Sequence, residues 1–293
     1  MLTAEQKQKI IDAGLKAEKN FDSHIRFATA MGLNAAQWSR ARKGELDGVL
    51  SSDKLLSLAR KLGVNLSEKR EVIPASTPVF QYIQVQLSAC QKHQLSGILC
   101  DSADIGKTFA AKHYARTHKN AFYVDCSQCK SKRKLVRTMA GAMGLGKEGT
   151  YGELYENLNF FIETTPNPLF ILDEIGDLEY SAFLELKALW NRNEYNCGWY
   201  MMGADGLKAK INRGLQFQKV GYAEMFSRLG NRFQRITPEG DGEEKSFAKK
   251  QIATIAKVNG IEDKREIQRL FVKTDGSLRR LHLEIQKMKI KEV

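Results

Sequence analysis

The sequence contains no run of about 18 consecutive apolar residues, the length that a membrane-spanning helix requires. Its beginning, MLTAEQKQKIIDAGLKAEKN, also lacks the basic block and the following apolar block of a secretory signal. These absences argue against a membrane-embedded or exported protein. We therefore predict a cytoplasmic protein that has no membrane partner.

The sequence has few cysteines, and their number is odd. The five are Cys90, Cys100, Cys126, Cys129 and Cys197. An odd number without an export signal predicts reduced thiols rather than a disulfide framework. Cys126 and Cys129 have the spacing of zinc ligands, but no second C-x-x-C and no nearby histidine pair completes a tetrahedral site. We therefore expect no structural zinc.

Acidic residues are the minority among the charged ones. The chain has 46 Lys and Arg against 34 Asp and Glu, which gives a formal net charge of +12. Such an excess is typical of a protein that binds a polyanion such as nucleic acid, although a merely soluble basic surface gives the same number. At 293 residues the chain is long enough for roughly two domains.

Apolar residues, among them Ile25 and Ala28, recur at helical spacing between residues 22 and 65. Gly32 can end one helix in the left-handed conformation, and Asn34 can cap the next. This leaves a short turn between two helices, which is the geometry of a helix-turn-helix.

The second of these helices, AAQWSRARKG, has an apolar side and a polar side. We expect Trp38 and Ala41 to face the core, and Gln37 and Arg40 to form the face that reads DNA. With Gly44 at its end and LARKLGV beyond, the region resembles the Cro/repressor type of helix-turn-helix. The alternative is a helical packing domain that does not contact DNA. The candidate DNA contacts are Gln37, Ser39, Arg40, Arg42 and Lys43.

A change in composition follows this region. Residues 67–78, SEKREVIPASTP, are charged, proline and small polar residues, as is typical of a linker. We therefore predict a helix-turn-helix domain at residues 1–66 and a linker at residues 67–78.

The stretch DSADIGKT, residues 101–108, ends like a nucleotide-binding P-loop, G-x-x-x-x-G-K-[ST]. The apolar strand SGILC precedes it and the helical segment TFAAKHYARTH follows, which is the order that a P-loop requires. Backbone N–H groups and the helix dipole would bind phosphate there. Lys107 supplies the cation for the phosphates and Thr108 the hydroxyl for Mg²⁺. The candidate nucleotide-binding residues are Asp101, Ser102, Ala103, Asp104, Ile105, Gly106, Lys107, Thr108 and Phe109.

Two aspartates depart from the usual loop. Asp101 stands where the motif has its first glycine. Aspartate adopts positive φ more readily than most residues, so we expect the turn to survive there at modest strain. Asp104 adds a carboxylate near the expected phosphates, which should weaken nucleotide binding unless its side chain points outward.

The segment PLFILDEIGDL is an apolar run that ends in Asp173 and Glu174. The carboxyl ends of parallel strands meet at one edge of a sheet, so this pair should lie beside the P-loop. Asp173 is then the carboxylate associated with Mg²⁺, and Glu174 the candidate base that polarises the attacking water. The alternative is a strand that ends in a solvated acidic turn.

Further strands and helices complete the pattern. The strand at residues 199–202 ends near Asp205, and the helical segment SAFLELKALWNRNEY before it completes a β-α-β unit. Alternation of this kind predicts a doubly wound parallel sheet. The stretch 130–147 carries basic residues and no acidic one, which fits a DNA-facing loop or a solvated helix face equally.

The P-loop, LFILDE, AEMFSRLGNRF and TDGSLRRLHLEIQKM together resemble the AAA+ ATPases. Their combination with a helix-turn-helix resembles the family of the phage Mu B protein and the insertion-sequence helpers. The resemblance implies a P-loop AAA+ module, a parallel sheet between helices with a small helical lid, preceded by an all-α domain. It places the nucleotide-binding core at residues 79–238 and the lid at residues 239–293. It also implies ATP and Mg²⁺ as cofactors, with slow, DNA-stimulated hydrolysis.

The resemblance assigns roles to single residues. Lys107 and Thr108 match the Walker A positions, and Asp173 and Glu174 the Walker B pair, with Thr108 and Asp173 at the metal. Asp205 takes the sensor-1 position, where asparagine, serine or threonine is more usual.

Arginines near the end of the chain match two further positions. Arg228 is the better candidate for an arginine finger and Arg232 the second; a finger acts on the neighbouring subunit's ATP, which implies a homo-oligomer, ring or helical filament. Arg279 matches the sensor-2 arginine of the lid, with Arg280 second. A basic helix surface is the alternative for the lid arginines.

Residues 206–235 contain seven Lys and Arg and a single acidic residue, Glu224. Such a segment suits contact with a phosphate backbone rather than sequence reading. Lys208, Lys210 and Arg213 are the predicted contacts.

These features lead to one principal functional hypothesis and two alternatives. The principal one is an ATP-dependent DNA-binding protein that assembles on duplex target DNA and recruits or activates a transposase. One alternative is a helix-turn-helix transcriptional regulator switched by nucleotide, which Asp101 and Asp104 favour. The other is a remodelling ATPase like the helicase loaders.

Overall fold

The computed structural model describes residues 2–19, 21–45, 48–64, 66, 73–145 and 149–291. Its contacts divide the chain into two compact units, Met1–Val72 and Ile73–Val293. Residues 67–72 of the predicted linker lie outside the described residues, and so do residues 146 and 147, the end of the basic stretch 130–147. The predicted domain boundaries stay predictions. No helix within the described ranges is long and apolar enough to cross a membrane.

The first unit consists of short helices around one apolar core. Trp38 lies at its centre, packed against Phe27, and its ring occupies the space that a side chain at Gly14 would need. The apolar spacing predicted that Ile25 and Ala28 face the core. Ala28 is buried, but Ile25 is exposed and Phe27 is buried instead, so α2 turns a different face to the core. The helices are α1 (Ala4–Glu18), α2 (His24–Ala30), α3 (Ala35–Ala41) and α4 (Ser52–Leu62).

The turn between α2 and α3 has the geometry that its residues favour. Gly32 adopts φ +70°, a conformation that glycine reaches without steric cost. Asn34 caps α3, because its Oδ1 accepts the N–H groups of Ala36 and Gln37 at 2.9 and 3.3 Å. The turn therefore ends α2 and starts α3 with the residues that the sequence predicted, and Trp38 and Ala41 of α3 are buried, as expected.

The second unit is an α/β structure. Its elements are α5 (Pro78–His93), β1 (Ser96–Cys100), α6 (Lys107–Thr117), β2 (Ala121–Asp125), α7 (Lys132–Ala142), α8 (Tyr151–Thr164), β3 (Leu169–Asp173), α9 (Tyr180–Arg192), β4 (Gly198–Gly203), α10 (Asp205–Gln216), α11 (Tyr222–Arg228), α12 (Asp241–Val258), α13 (Lys264–Thr274) and α14 (Leu278–Lys291).

The four strands form a parallel sheet in the order β1-β4-β3-β2. Side chains alternate along each strand: Phe170 and Leu172 of β3 belong to the core under α7 to α11, whereas Ile171 belongs to the core under α5 and α6. The sheet thus lies between two helical layers. This confirms the predicted α/β P-loop architecture.

Helices α12 to α14 surround a small core of their own, which includes Ile252 and Leu281. These helices correspond to the region predicted as the lid. Before α12 the chain runs alongside β1, where Gln234 forms a parallel β-bridge with Leu99.

Candidate nucleotide site

The P-loop joins the end of β1 to the start of α6. Gly106 adopts φ +100°, and the helix that begins at Lys107 has no side-chain cap on its first turn. Lys107 is buried, and its Nζ donates to the carbonyl oxygens of Asp101 at 2.8 Å and Ser102 at 2.6 Å. Uncapped N–H groups at a helix start, beside a buried ammonium, are the chemistry that binds phosphate.

The charge environment of Lys107 is mixed. Burial lowers the pKa of Lys107, while the carboxylates of Asp101, Glu174, Asp173 and Asp205 act in the opposite direction. These acidic groups therefore favour the protonated ammonium.

Asp173, at the end of β3, is nearly fully buried and accepts two hydroxyl groups on one oxygen. Thr108 Oγ1 donates to its Oδ2 at 2.6 Å, and the hydroxyl of Tyr123 donates to the same oxygen at 2.9 Å. A hydroxyl and a carboxylate side by side are oxygen ligands of the kind that Mg²⁺ takes next to phosphates. The residues present thus fit the predicted metal site.

Glu174 follows in the left-handed conformation, with φ +51°, and is exposed. Partial desolvation of its carboxyl group and, second, the Asp173 carboxylate raise the pKa of Glu174, while Lys107 acts to lower it. Strained backbone of this kind is concentrated at functional sites. A solvent-facing carboxylate beside the phosphate cation is the position that a base acting on water needs.

Asp101 differs from expectation. It is not among the residues with positive φ; Asp104 is, at φ +60°. Asp101 is fully buried, and its carboxylate accepts the N–H groups of Ser102, Ile236 and Thr237 at 2.7, 2.7 and 2.9 Å. The expectation of a left-handed Asp101 was therefore wrong, because its side chain is engaged with the chain beside β1.

Asp104 points toward the lid helices rather than into the loop. Its carboxylate accepts the Ser277 hydroxyl at 3.0 Å and pairs with Arg279 at 3.1 Å, and its carbonyl oxygen accepts the N–H of Leu278 at 3.2 Å. This brings the sensor-2 candidate Arg279 to the edge of the P-loop. Arg280 is exposed, and its backbone N–H donates to Ser277.

The two finger candidates differ in their surroundings. Arg228 contacts Asn191, lies 3.3 Å from a carboxylate oxygen of Glu194 and stands 6.0 Å from the centre of the Trp190 ring. Arg232 is exposed. Exposure is what a residue that reaches another subunit needs, and the choice of Arg228 first and Arg232 second as arginine finger stays a prediction.

Asp205 begins α10 and is exposed. Its carboxylate favours the protonated form of Lys107, so the two residues are electrostatic neighbours. The sensor-1 assignment of Asp205 stays a prediction.

The predicted DNA contacts on α10 divide into two kinds. Lys208 and Arg213 are exposed, with their charged groups 5.9 Å from the rings of Phe233 and Phe217. Lys210 instead donates to two backbone carbonyl oxygens, those of Gly176 and Leu178, both at 2.6 Å, and burial lowers its pKa. This geometry gives Lys210 a structural role.

The predicted contacts on α3 and directly after it are on or near the surface of the first unit. Arg40 pairs with Glu45 at 2.7 Å and Arg42 with Glu18 at 3.0 Å, and Gln37 accepts from Lys54 at 2.9 Å. Gln37 and Ser39 are half-buried, while Arg40, Arg42 and Lys43 are exposed.

Sequence reasoning missed Tyr123, Ser277 and the segment 234–237. All are far in sequence from the residues that they contact. Tyr123 lies two residues before the end of its strand, at the edge where parallel strands collect functional groups, and this position is the one signal that pointed to it.

Residues 90–211 match a protein-family model described as AAA domain. The parallel sheet, the P-loop and this match support an AAA+ ATPase, and an AAA domain implies nucleotide binding.

The chain is also similar to a particular phage protein. An ATP-dependent target DNA activator B of Escherichia phage D108 is 26% identical to it over 187 residues. The alignment covers 63% of this chain and 56% of the phage protein, so the chain matches little more than half of that relative's length.

Proposed function

We propose that this chain is an ATP-dependent DNA-binding ATPase that assembles on target DNA and recruits or activates a transposase. The observation that carries the proposal is the joining of the P-loop to β3 by the 2.6 Å hydrogen bond between Thr108 and Asp173. The name of the similar phage protein supports the choice of target DNA and transposition over other roles of AAA domains.

Each residue of the site has a chemical task in this proposal. Lys107 and the N-terminus of α6 bind phosphate oxygens, and Thr108 with Asp173 holds Mg²⁺. Bound Mg²⁺ neutralises charge on the phosphates of ATP. Glu174 orients and deprotonates water, and Arg279 adds positive charge from the lid. Tyr123 fixes the orientation of Asp173.

Assembly of several subunits completes the proposal. Arg232, or Arg228 after release from Glu194, serves as the arginine finger for a neighbouring copy. A homo-oligomer in the form of a ring or helical filament follows, with ATP at the contacts between subunits.

Lys208 and Arg213 form the proposed DNA surface in this unit. Both are exposed cations next to aromatic rings. Their segment, residues 206–235, contains seven basic residues and one acidic residue. Contacts of this type bind phosphates without sequence preference. Arg133 and Arg137, which line a cavity of about 290 Å³ with the start of α8, are a second basic surface.

Electron microscopy of the full chain with non-specific duplex DNA tests this proposal. We expect regular assemblies that require ATP and disappear as salt rises, because phosphate contacts release counterions. Lys107→Ala should abolish assembly. A discrete complex bound tightly to a palindromic operator, without assembly on other DNA, would contradict the proposal.

That contrary outcome would support the second candidate, a helix-turn-helix regulator switched by nucleotide. The geometry of the first unit favours it: Asn34 caps α3, and Arg40, Arg42 and Lys43 are exposed on that helix or directly after it. A recognition helix presents its side chains in this way.

A further inference from the structure

The side chain of Asp101 continues the backbone pairing beside β1. Gln234 donates its N–H to Ile98 at 2.9 Å and accepts the N–H of Cys100 at 3.0 Å, as a neighbouring strand would. One step further, Oδ2 of Asp101 accepts the N–H groups of Ile236 and Thr237. The carboxylate thus replaces a backbone acceptor at the point where the main chain turns into the P-loop.

A glycine at this position cannot make these contacts. It would leave two backbone N–H groups without their acceptor, and Thr237 is only 4% exposed. Buried N–H groups without a partner are rare because their desolvation is costly. The departure from the P-loop consensus therefore has a structural use in this chain.

The backbone of Asp101 also contacts the phosphate cation. Its carbonyl oxygen accepts from Lys107 Nζ at 2.8 Å, while its carboxylate holds the segment 236–237. This segment leads into α12, the first lid helix, which begins at Asp241. One residue thus connects Lys107 with the entry to the lid.

We propose that Asp101 is a positioning residue that fixes the P-loop to the entry of the lid and so couples nucleotide binding to lid position. The inference rests on the proposed nucleotide-binding function. It follows that restoring the consensus glycine harms the site, although the usual motif predicts an improvement.

Hydrogen exchange and ATP titration of the full chain, each on wild type and Asp101→Gly, test this inference. Without nucleotide, Asp101→Gly should speed exchange of the Ile236 and Thr237 amides by about tenfold or more, because both lose their acceptor. It should also weaken ATP binding by about tenfold and remove any slowing of exchange at these amides by ATP.

Two further variants make the test specific. Asp101→Asn keeps the size of the side chain and one acceptor oxygen, so its effect should be intermediate; it also serves if Asp101→Gly does not fold. Asp263→Gly removes a carboxylate that accepts the N–H of Arg265 at the start of α13, and should leave ATP binding unchanged.

The outcomes separate the two ideas. If the wild type binds no ATP, the proposed function fails and this inference with it. If the wild type binds ATP while Asp101→Gly binds it equally or more tightly, or exchanges the two amides at the wild-type rate, the inference alone is overturned.

Discussion

At the scale of the residue, the position of Asp173 decides whether the P-loop and β3 act together. Its Oδ2 accepts both Thr108 and Tyr123, so the carboxylate has little freedom to turn. Ligands that are fixed by a second layer of hydrogen bonds bind metal more tightly and in one geometry. The Tyr123 hydroxyl is such a second layer, and burial, with the Asp173 carboxylate next to it, raises its pKa. It therefore acts as a donor.

Tyr123→Phe should raise the Mg²⁺ concentration needed for half-maximal ATP hydrolysis by about tenfold, because Oδ2 of Asp173 loses one of its two hydroxyl donors. Binding of ATP without Mg²⁺ should not change. Titrations of both kinds on wild type and variant check this.

Tyr180→Phe is a suitable control, since its hydroxyl donates to the carbonyl oxygen of Val220, outside the metal site. An equal Mg²⁺ requirement in wild type and Tyr123→Phe would show that Tyr123 does not position Asp173.

At the scale of the element, the lid contacts the P-loop at the start of α14. Asp104 accepts Ser277 and pairs with Arg279, and both contacts join one loop to one helix end. Arg279 is largely exposed, so the pair contributes little energy in water. Asp104 and a bound phosphate would compete for Arg279, because the guanidinium group that pairs with Asp104 is the one expected to contact the phosphate.

Asp104→Asn should strengthen ATP binding by roughly threefold, because it removes a negative charge from the loop and frees Arg279. Asparagine tolerates φ +60°, so the loop keeps its conformation. Calorimetric titration with ATP checks the prediction.

Asp275→Asn is the matched control, an aspartate at φ +50° at the end of α13. Weaker ATP binding by Asp104→Asn than by Asp275→Asn would mean that the lid contact aids nucleotide binding rather than competing with it.

The elements that carry the site could be predicted because their signals are local. An apolar run before DSADIGKT and a helical pattern after it indicate β1 and α6, and LFILDE indicates β3 with its acidic end. The contacts of Asp101 with Ile236 and Thr237 could not be predicted, since 135 and 136 positions separate the partners. Sequence spacing likewise did not distinguish Lys210, bonded to carbonyl groups, from the exposed Lys208.

At the scale of the whole molecule, the net charge of +12 predicts that the affinity for DNA depends on salt concentration. Counterion release makes the affinity of a basic surface fall with salt, by an amount set by the number of phosphate contacts. The exposed cations of α10 are the proposed contacts, and each should account for about one unit of the salt slope.

Lys208→Ala and Arg213→Ala should each weaken binding to unrelated duplexes equally and lower the salt slope by about one. Fluorescence anisotropy at several salt concentrations measures both effects.

Lys210→Ala provides the contrast. We expect it to leave the salt slope unchanged and to lower the melting temperature, because two carbonyl groups lose their donor. A reduced slope for Lys210→Ala and an unchanged one for Lys208→Ala would contradict the assignment of this surface.

The most direct test of the central claim is ATP hydrolysis by the full chain with and without duplex DNA. The wild type should hydrolyse ATP faster with DNA, and Lys107→Ala and Glu174→Gln should each reduce turnover by about a hundredfold or more. Glu174→Gln should still bind ATP, because Glu174 acts on water rather than on the phosphates. Turnover that neither substitution reduces would show that this site does not hydrolyse ATP.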